Sequence, residues 1–297
     1  MYHNPVLLAE SVAGLSIKEN GVYVDVTFGG GGHSNEILKQ LGVNGKLFAF
    51  DQDVEALENS IEDERFTLIN ENFRYLKQFL KFYGIRKVDG ILGDFGVSSH
   101  QFDKAERGFS TRFDADLDMR MNTKSKLSAY DVVNDYDHDS LKKVLFQYGE
   151  LRNADAMSNV IISARAAEPI KTTMRLKEVL KRFLPQRKEH KIIAQVYQAI
   201  RIEVNQELIA IEELLSQSVE LLHVGGRLSL ISYHSLEDRL VKNFIRAGKF
   251  VGEAEKDFYG NVEVPYKKVG KLVVPSREEI VTNNRARSAK LRIAERI

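Results

Sequence analysis

Cysteine is absent from this chain of 297 residues. That gap excludes disulfides, thiolate zinc sites, iron–sulfur clusters and cysteine nucleophiles together. Long apolar runs are missing as well. Nothing approaches the roughly 18 apolar residues of a membrane span, and the stretch from Met1 to Glu10 lacks a basic segment followed by an apolar one. The chain therefore reads as cytoplasmic, with no membrane role. Proline is scarce, with five residues scattered along the sequence. Neither an internal repeat nor a low-complexity segment is present, and no metal-ligand set is assigned.

An excess of one charge is missing too, since 43 Lys and Arg stand against 42 Asp and Glu for a net +1. The molecule as a whole does not advertise a polyanionic partner. Its charge is nevertheless segregated. Lys171 to Arg201 holds nine basic residues against Glu178 and Glu189, a local +7, and Pro265 to the end holds nine against Glu278, Glu279 and Glu295, a local +6. The remainder carries −12. That is the footprint expected of a protein gripping nucleic-acid phosphates with part of its surface, although either cluster alone also fits a solvated helix face.

Hydrophobic residues at 43% and charged residues at 29% are ordinary for a globular protein. The length allows one large domain or two of ordinary size. Val22 to Val26, Lys46 to Phe50, Phe66 to Ile69 and Val88 to Leu92 are short apolar runs rich in β-branched and aromatic residues. The stretches between them are long enough for crossover helices. This βαβ rhythm predicts a parallel sheet covered on both faces. After Asp94 the rhythm stops, and Leu141 to Tyr148, Ala154 to Ala167 and Met174 to Phe183 have helical periodicity. One long helix is expected over Ala194 to Leu222. A strand at Arg227 to Ser232, a helix at Leu236 to Ala247 and a terminal strand at Lys290 to Ala294 follow. The expected architecture is an α/β sheet in two chain segments, residues 1–107 and 196–297, interrupted by an all-helical insert over 108–195.

The sharpest local feature runs from Asp25 to Ser34, a strand entering Gly29, Gly30, Gly31 and Gly32 and then a helix. Glycine permits close backbone approach to a ligand, and the helix start offers free N–H groups. Dinucleotides and S-adenosylmethionine are both bound at such turns. The third glycine of G-x-G-x-x-G is missing, because Ser34 or Asn35 stands there, and no Lys-Ser or Lys-Thr follows the glycines to make a phosphate loop. Two acids reinforce the ligand reading. Asp51 follows the second strand about twenty residues on, where a carboxylate accepts ribose hydroxyls, and Asp94 ends the fourth strand on the same sheet edge. A strand-end Asp standing alone is more often a helix cap.

The segments Thr27 to Ser34, Asp51-Gln52-Asp53, Asp94 to Ser99, Glu106 to Ser110, Leu117 to Met121, Gln198 to Ile202, Asn205 to Leu208, Ser232 to Arg239 and Arg285 to Ser288 closely resemble, in colinear order, the bacterial RsmH (MraW) family. The resemblance runs from Pro5 to Arg296 and implies a Rossmann-like, S-adenosylmethionine-dependent methyltransferase. Its implied activity is N4-methylation of a cytidine in the decoding region of small-subunit (16S) ribosomal RNA. The family's cofactor positions fall on Gly31, Gly32, His33, Asp51, Phe73, Asp94 and Gln101. Asp94 is also the candidate catalytic residue, as an acceptor that orients the amine and tolerates its developing charge. Tyr233, His234 and Ser235 are candidates for holding the base or its phosphates, with Ser235 and Asp238 alternatively forming a helix cap. Arg182, Arg187, Lys188, Arg285 and Arg287 are candidate phosphate contacts. Gly93, where the family often has Leu or Ala, predicts a less packed strand end. Lys191 to Tyr197 departs from the family's pattern, so no RNA role is carried onto Gln195. Two other readings stay open: a methyltransferase with a different nucleic-acid or protein acceptor, and a non-catalytic RNA-binding module.

Overall fold

The computed structural model describes residues 5–255, 259 and 262–297. Residues 1–4, part of the N-terminal stretch read above, lie outside them. In chain order come α1 (Leu8–Gly14), β1 (Val22–Asp25), α2 (Gly32–Gln40), β2 (Lys46–Phe50), β3 (Phe66–Ile69), α3 (Leu76–Phe82) and β4 (Val88–Asp94). Helices α4 (Ser99–Asp103), α5 (Ala129–Asp135), α6 (His138–Gln147), α7 (Ala154–Ala167), α8 (Thr173–Val179) and α9 (Glu189–Asn205) follow. The chain then forms α10 (Glu207–Leu221), β5 (Leu222–Ser232), α11 (Ser235–Ala247), β6 (Tyr266–Val273), α12 (Arg277–Thr282) and β7 (Lys290–Arg296).

Two compact units result. One comprises the residues up to Gly96 together with Leu208–Ile297, and the other is Val97–Glu207. The first holds a seven-stranded sheet of order β3-β2-β1-β4-β5-β7-β6. Strands β1 to β5 are parallel, and β7 and β6 add antiparallel pairs at one edge. Parallel strands are apolar on both faces because helices cover both. Val24, in register with Phe48 on one side and Ile91 on the other, is fully buried with both. The shared register brings the carboxyl ends of β1, β2 and β4 to one sheet edge, where Asp25, Asp51 and Asp94 lie.

The second unit has its own core, built on Val132, Leu141, Leu145, Ile161, Leu176 and Ile200. Among its described residues are helices, short 3-10 turns and one isolated bridge between Asp116 and Thr172. Its helices start at capping side chains that the sequence provides. Ser128 and Asp131 form a capping box on α5, Asp137 caps α6 and Thr172 caps α8. The bounds of this unit are wider on both sides than 108–195.

Two expectations are corrected and one strand is added. The single helix over 194–222 is two helices, because Gln206 adopts a left-handed backbone (φ 51°) that closes α9 before α10 begins at Glu207. Strand β6 went unpredicted, since its Lys-rich, largely exposed sequence shows no apolar run. Gly93 does not loosen its strand: it is buried, and a Cβ there would lie 3.0–3.2 Å from Val26, Leu230 and Phe95, whose side chains fill the space.

Candidate active site

The site begins where β1 ends. Asp25 is fully buried, and its carboxylate accepts the Thr27 N–H (3.1 Å) and the Ser34 hydroxyl (2.7 Å), tying the turn to the first turn of α2. Burial raises its pKa, and the nearby His33 opposes that rise. Gly31 sits at φ 74°, where a β-carbon is strained, and a Cβ on Gly32 would fall 2.1 Å from Pro5. Gly30 by contrast has open space where a side chain would stand. No side chain caps α2, so a ligand can meet its leading N–H groups and approach the backbone at Gly30.

Asp51, at the end of β2, is partly buried. Its Oδ2 accepts the Gly29 N–H (2.8 Å) and its Oδ1 the Asp53 N–H (2.9 Å). A carboxylate offers about four lone-pair sites, so these two bonds hold the group in place and leave capacity for hydroxyl donors. Burial raises its pKa to about 6 despite both backbone bonds. Phe73, in a 3-10 turn capped by Asn72, is partly buried against the sheet core with its ring centroid 6.0 Å from that of Phe95.

Asp94 closes β4. Its backbone N–H donates to Thr27 Oγ1 (2.6 Å), and its Oδ1 accepts the Tyr233 hydroxyl (2.7 Å). Burial again dominates and lifts its pKa to about 6, while His33 and the Tyr233 hydrogen bond pull it down. Desolvation and the Asp94 charge raise the Tyr233 phenol in turn, so it stays a donor. His33 is buried, with Nε2 3.1 Å from the Val6 carbonyl.

The structure thus gathers Gly31, Gly32, His33, Asp51 and Asp94 around the carboxyl ends of β1, β2 and β4. It places Gln101 in the other unit, where its side chain closes a capping box on α4 with Ser98. The cap of α11 is His234 with Glu237, not Ser235 with Asp238. Asp238 instead pairs with Arg292 (2.7 Å). Two residues and one bond escaped the sequence reading. Asp25 was visible only as the last residue of a strand, Thr27 only as part of the turn, and the Tyr233 bond to Asp94 spans too many residues for any local pattern.

A family model, the MraW methylase family, matches residues 1–297. The chain belongs to that family. Two MraW-family relatives called ribosomal RNA small subunit methyltransferase H show the extent of the likeness. That of Christiangramia forsetii is 67% identical over 296 residues, covering 100% of this chain and 98% of its own, and that of Cytophaga hutchinsonii is 57% identical over 298 residues, covering 100% of both. A solved rRNA methylase from Streptococcus thermophilus is a far weaker match, with 12% identity and a TM-score of 0.45 over 100% of this chain and 99% of that one. Among the described residues no helix is long and apolar enough to cross a membrane.

Proposed function

We propose that this MraW-family chain is a cytoplasmic, S-adenosylmethionine-dependent methyltransferase acting on N4 of a cytidine in the decoding region of small-subunit ribosomal RNA. The observation that carries the reading is Asp94, a partly buried carboxylate at the end of β4, held on its backbone by Thr27 and on one oxygen by Tyr233. It lies on the same sheet edge as an open glycine turn. The names of the close relatives support the small-subunit substrate.

The residues fit the cofactor. Gly30 leaves room for close approach, α2 lacks a side-chain cap, and the anchored Asp51 carboxylate retains lone pairs for ribose hydroxyls. Phe73 offers an apolar ring that can cover the adenine. When bound, S-adenosylmethionine supplies an electrophilic methyl group on sulfonium. Cytosine N4 is a poor nucleophile because its lone pair is delocalised into the ring. Near-attack alignment contributes on the order of 7–11 kcal/mol, so no strong base is required. Asp94 accepts a hydrogen bond from the amine and stabilises the positive charge that develops on nitrogen, an interaction stronger in the transition state than in the ground state. Tyr233 fixes Oδ1 and thereby directs Oδ2 toward the amine. Extruding the base from its stack costs a few kcal/mol, and we assign Arg182, Arg187, Lys188, Arg285 and Arg287 to the phosphate contacts that offset it.

Small subunits purified from a strain lacking the gene, incubated with the protein and methyl-labelled S-adenosylmethionine, test the reading. Nucleoside mass spectrometry should find the label in N4-methylated cytidine. Label in another nucleoside, or none in RNA, would overturn it.

A further inference from the structure

One concavity among the described residues lies away from the glycine turn. A groove of about 430 Å³ opens between α11 and the β6 edge of the sheet. From α11 it receives Lys242 and Arg246, one helical turn apart on one face, and from β6 it receives Lys268 and Lys271. All four are exposed. Lys242, Lys268 and Lys271 form no ion pair among the described residues, and Arg246 only approaches Glu253 at 3.9 Å. The other cation of the rim, Arg292, is neutralised by Asp238. The floor is apolar, made by Ile245, Tyr266, Val269 and Ile293. The register of β6 against β7 shifts between Val269 and Val273, with Gly270 at φ 67°. A bulge of this kind bends an edge strand and re-aims its side chains.

We propose that this groove is a second RNA-contact surface, which holds the phosphodiester backbone of the substrate at a distance from the reacting base. The inference rests on the ribosomal RNA reading above. Unpaired cations over an apolar floor suit a strand that presents phosphates and sugar faces alternately. β6 lies three strands from β4, about 14 Å at 4.8 Å per strand, so one RNA can touch both places. Lysines on an edge strand also discourage pairing with another chain. That would account for β6 alone, whereas Lys242 and Arg246 come from a helix and converge on the same groove. Lys268 and Lys271 belong to the basic C-terminal run noted in the sequence, but none of the four residues was singled out there as a phosphate contact.

The test is binding of the full chain to small subunits from the gene-deleted strain over a range of salt. The double variant Lys268→Glu, Lys271→Glu should bind at least tenfold more weakly. Its log Kd against log salt slope should be shallower by about 1.4, at about 0.7 per lost phosphate contact. Cofactor affinity by calorimetry should not change, and kcat at saturating subunits should hold while KM rises. Lys242→Glu, on the exposed face of α11, gives the same readout if the double variant does not fold. Unchanged subunit affinity and slope in these variants, with a wild-type chain that binds and methylates, would overturn the groove and leave the proposed function standing. A wild-type chain that neither binds nor methylates the subunits overturns both. Loss of binding to an acidic polypeptide with RNA affinity intact would assign the groove to a protein partner and overturn the proposal.

Discussion

The two units treat their carboxylates in opposite ways. In the helical unit five carboxylates shift downward. Asp114, Asp118, Asp137, Asp155 and Glu189 all accept hydrogen bonds or pair with a cation that favours their charge. In the sheet unit Asp25, Asp51 and Asp94 shift upward, because burial outweighs the bonds they accept. The sheet unit also contains ordinary paired acids, Asp63 with Arg65 and Asp238 with Arg292. Burial raises Glu212 in the same way. Acids that cap helices and neutralise arginines support the fold, whereas acids whose charged form is disfavoured by burial gather at the one sheet edge proposed above as the active site.

The contrast breaks first at Asp94. Asp94→Asn preserves shape and can still accept the Tyr233 hydroxyl, so the protein should fold, while single-turnover methyl transfer should fall by about 100-fold or more. Saturating cofactor should not restore it. A rate that recovers at high cofactor would reduce Asp94 to a cofactor ligand and remove the distinction drawn here. The same variant should be more stable than wild type at pH 7 by about 1–3 kcal/mol, because it removes a carboxylate whose charged form is disfavoured; urea unfolding followed by circular dichroism measures this.

Asp51→Ala should weaken S-adenosylmethionine binding by roughly 10- to 150-fold, the equivalent of about 1.5–3 kcal/mol for hydrogen bonds to a charged acceptor. Unaltered calorimetric affinity in the folded variant would remove Asp51 from the site. This variant also frees the N–H groups of Gly29 and Asp53, so part of the loss will come from a loosened turn.

Acidity should separate activity from stability. With Asp94 titrating near 6, its acceptor form is about one part in ten at pH 5, and the single-turnover rate should drop about tenfold between pH 7 and pH 5. Stability moves the other way for these groups. Their folded pKa values lie above the ordinary value of 3.8, so the native state binds more protons between about pH 4 and 6. Their stabilising contribution is therefore full below about pH 4 and is lost as pH rises through 6. A rate that stays flat down to pH 5 would show that Asp94 acts without its charge.

The smallest expected effect lies in the helical unit. Asp118 holds the Arg120 guanidinium through both oxygens and accepts its N–H, and Arg120 reaches on to the Ser125 carbonyl. Asp118→Asn should cost about 1–2 kcal/mol in stability and lower the melting temperature, with cofactor affinity unchanged. A loss of affinity instead would show that the two sets of acids do not divide along the two units.

Strands β1, β2 and β4 were legible because a strand buried on both faces must be written in consecutive apolar residues, and β3, a partly buried edge strand, because Phe66, Leu68 and Ile69 keep it apolar. Helix α7 was readable to both ends, since its apolar spacing persists from Ala154 to Ala167. β6 was not, because an edge strand at the surface spells itself with lysine and glycine. The break at Gln206 was hidden too: the apolar spacing continues through it, and only the backbone angle betrays it. In the site, Asp51 and Asp94 could be read from their place after apolar runs. Asp25 was seen in the same turn, but its burial and its bond to Ser34 depend on how α2 packs over β1. The cap at His234 escaped because Ser235 is the commoner capping residue type.

The interruption of the sheet by the helical unit has a consequence for synthesis. β4 ends at Asp94, and its neighbour β5 begins only at Leu222. At about 5–20 residues per second of translation, the roughly 130 intervening residues take about 6–25 seconds to emerge. Throughout that interval β4, apolar on both faces, presents an unpaired edge, the kind of surface on which nascent chains pair with one another. Slow codons or stalling within the helical unit would prolong that exposure, so the yield of soluble protein should depend on how fast this middle third of the message is read.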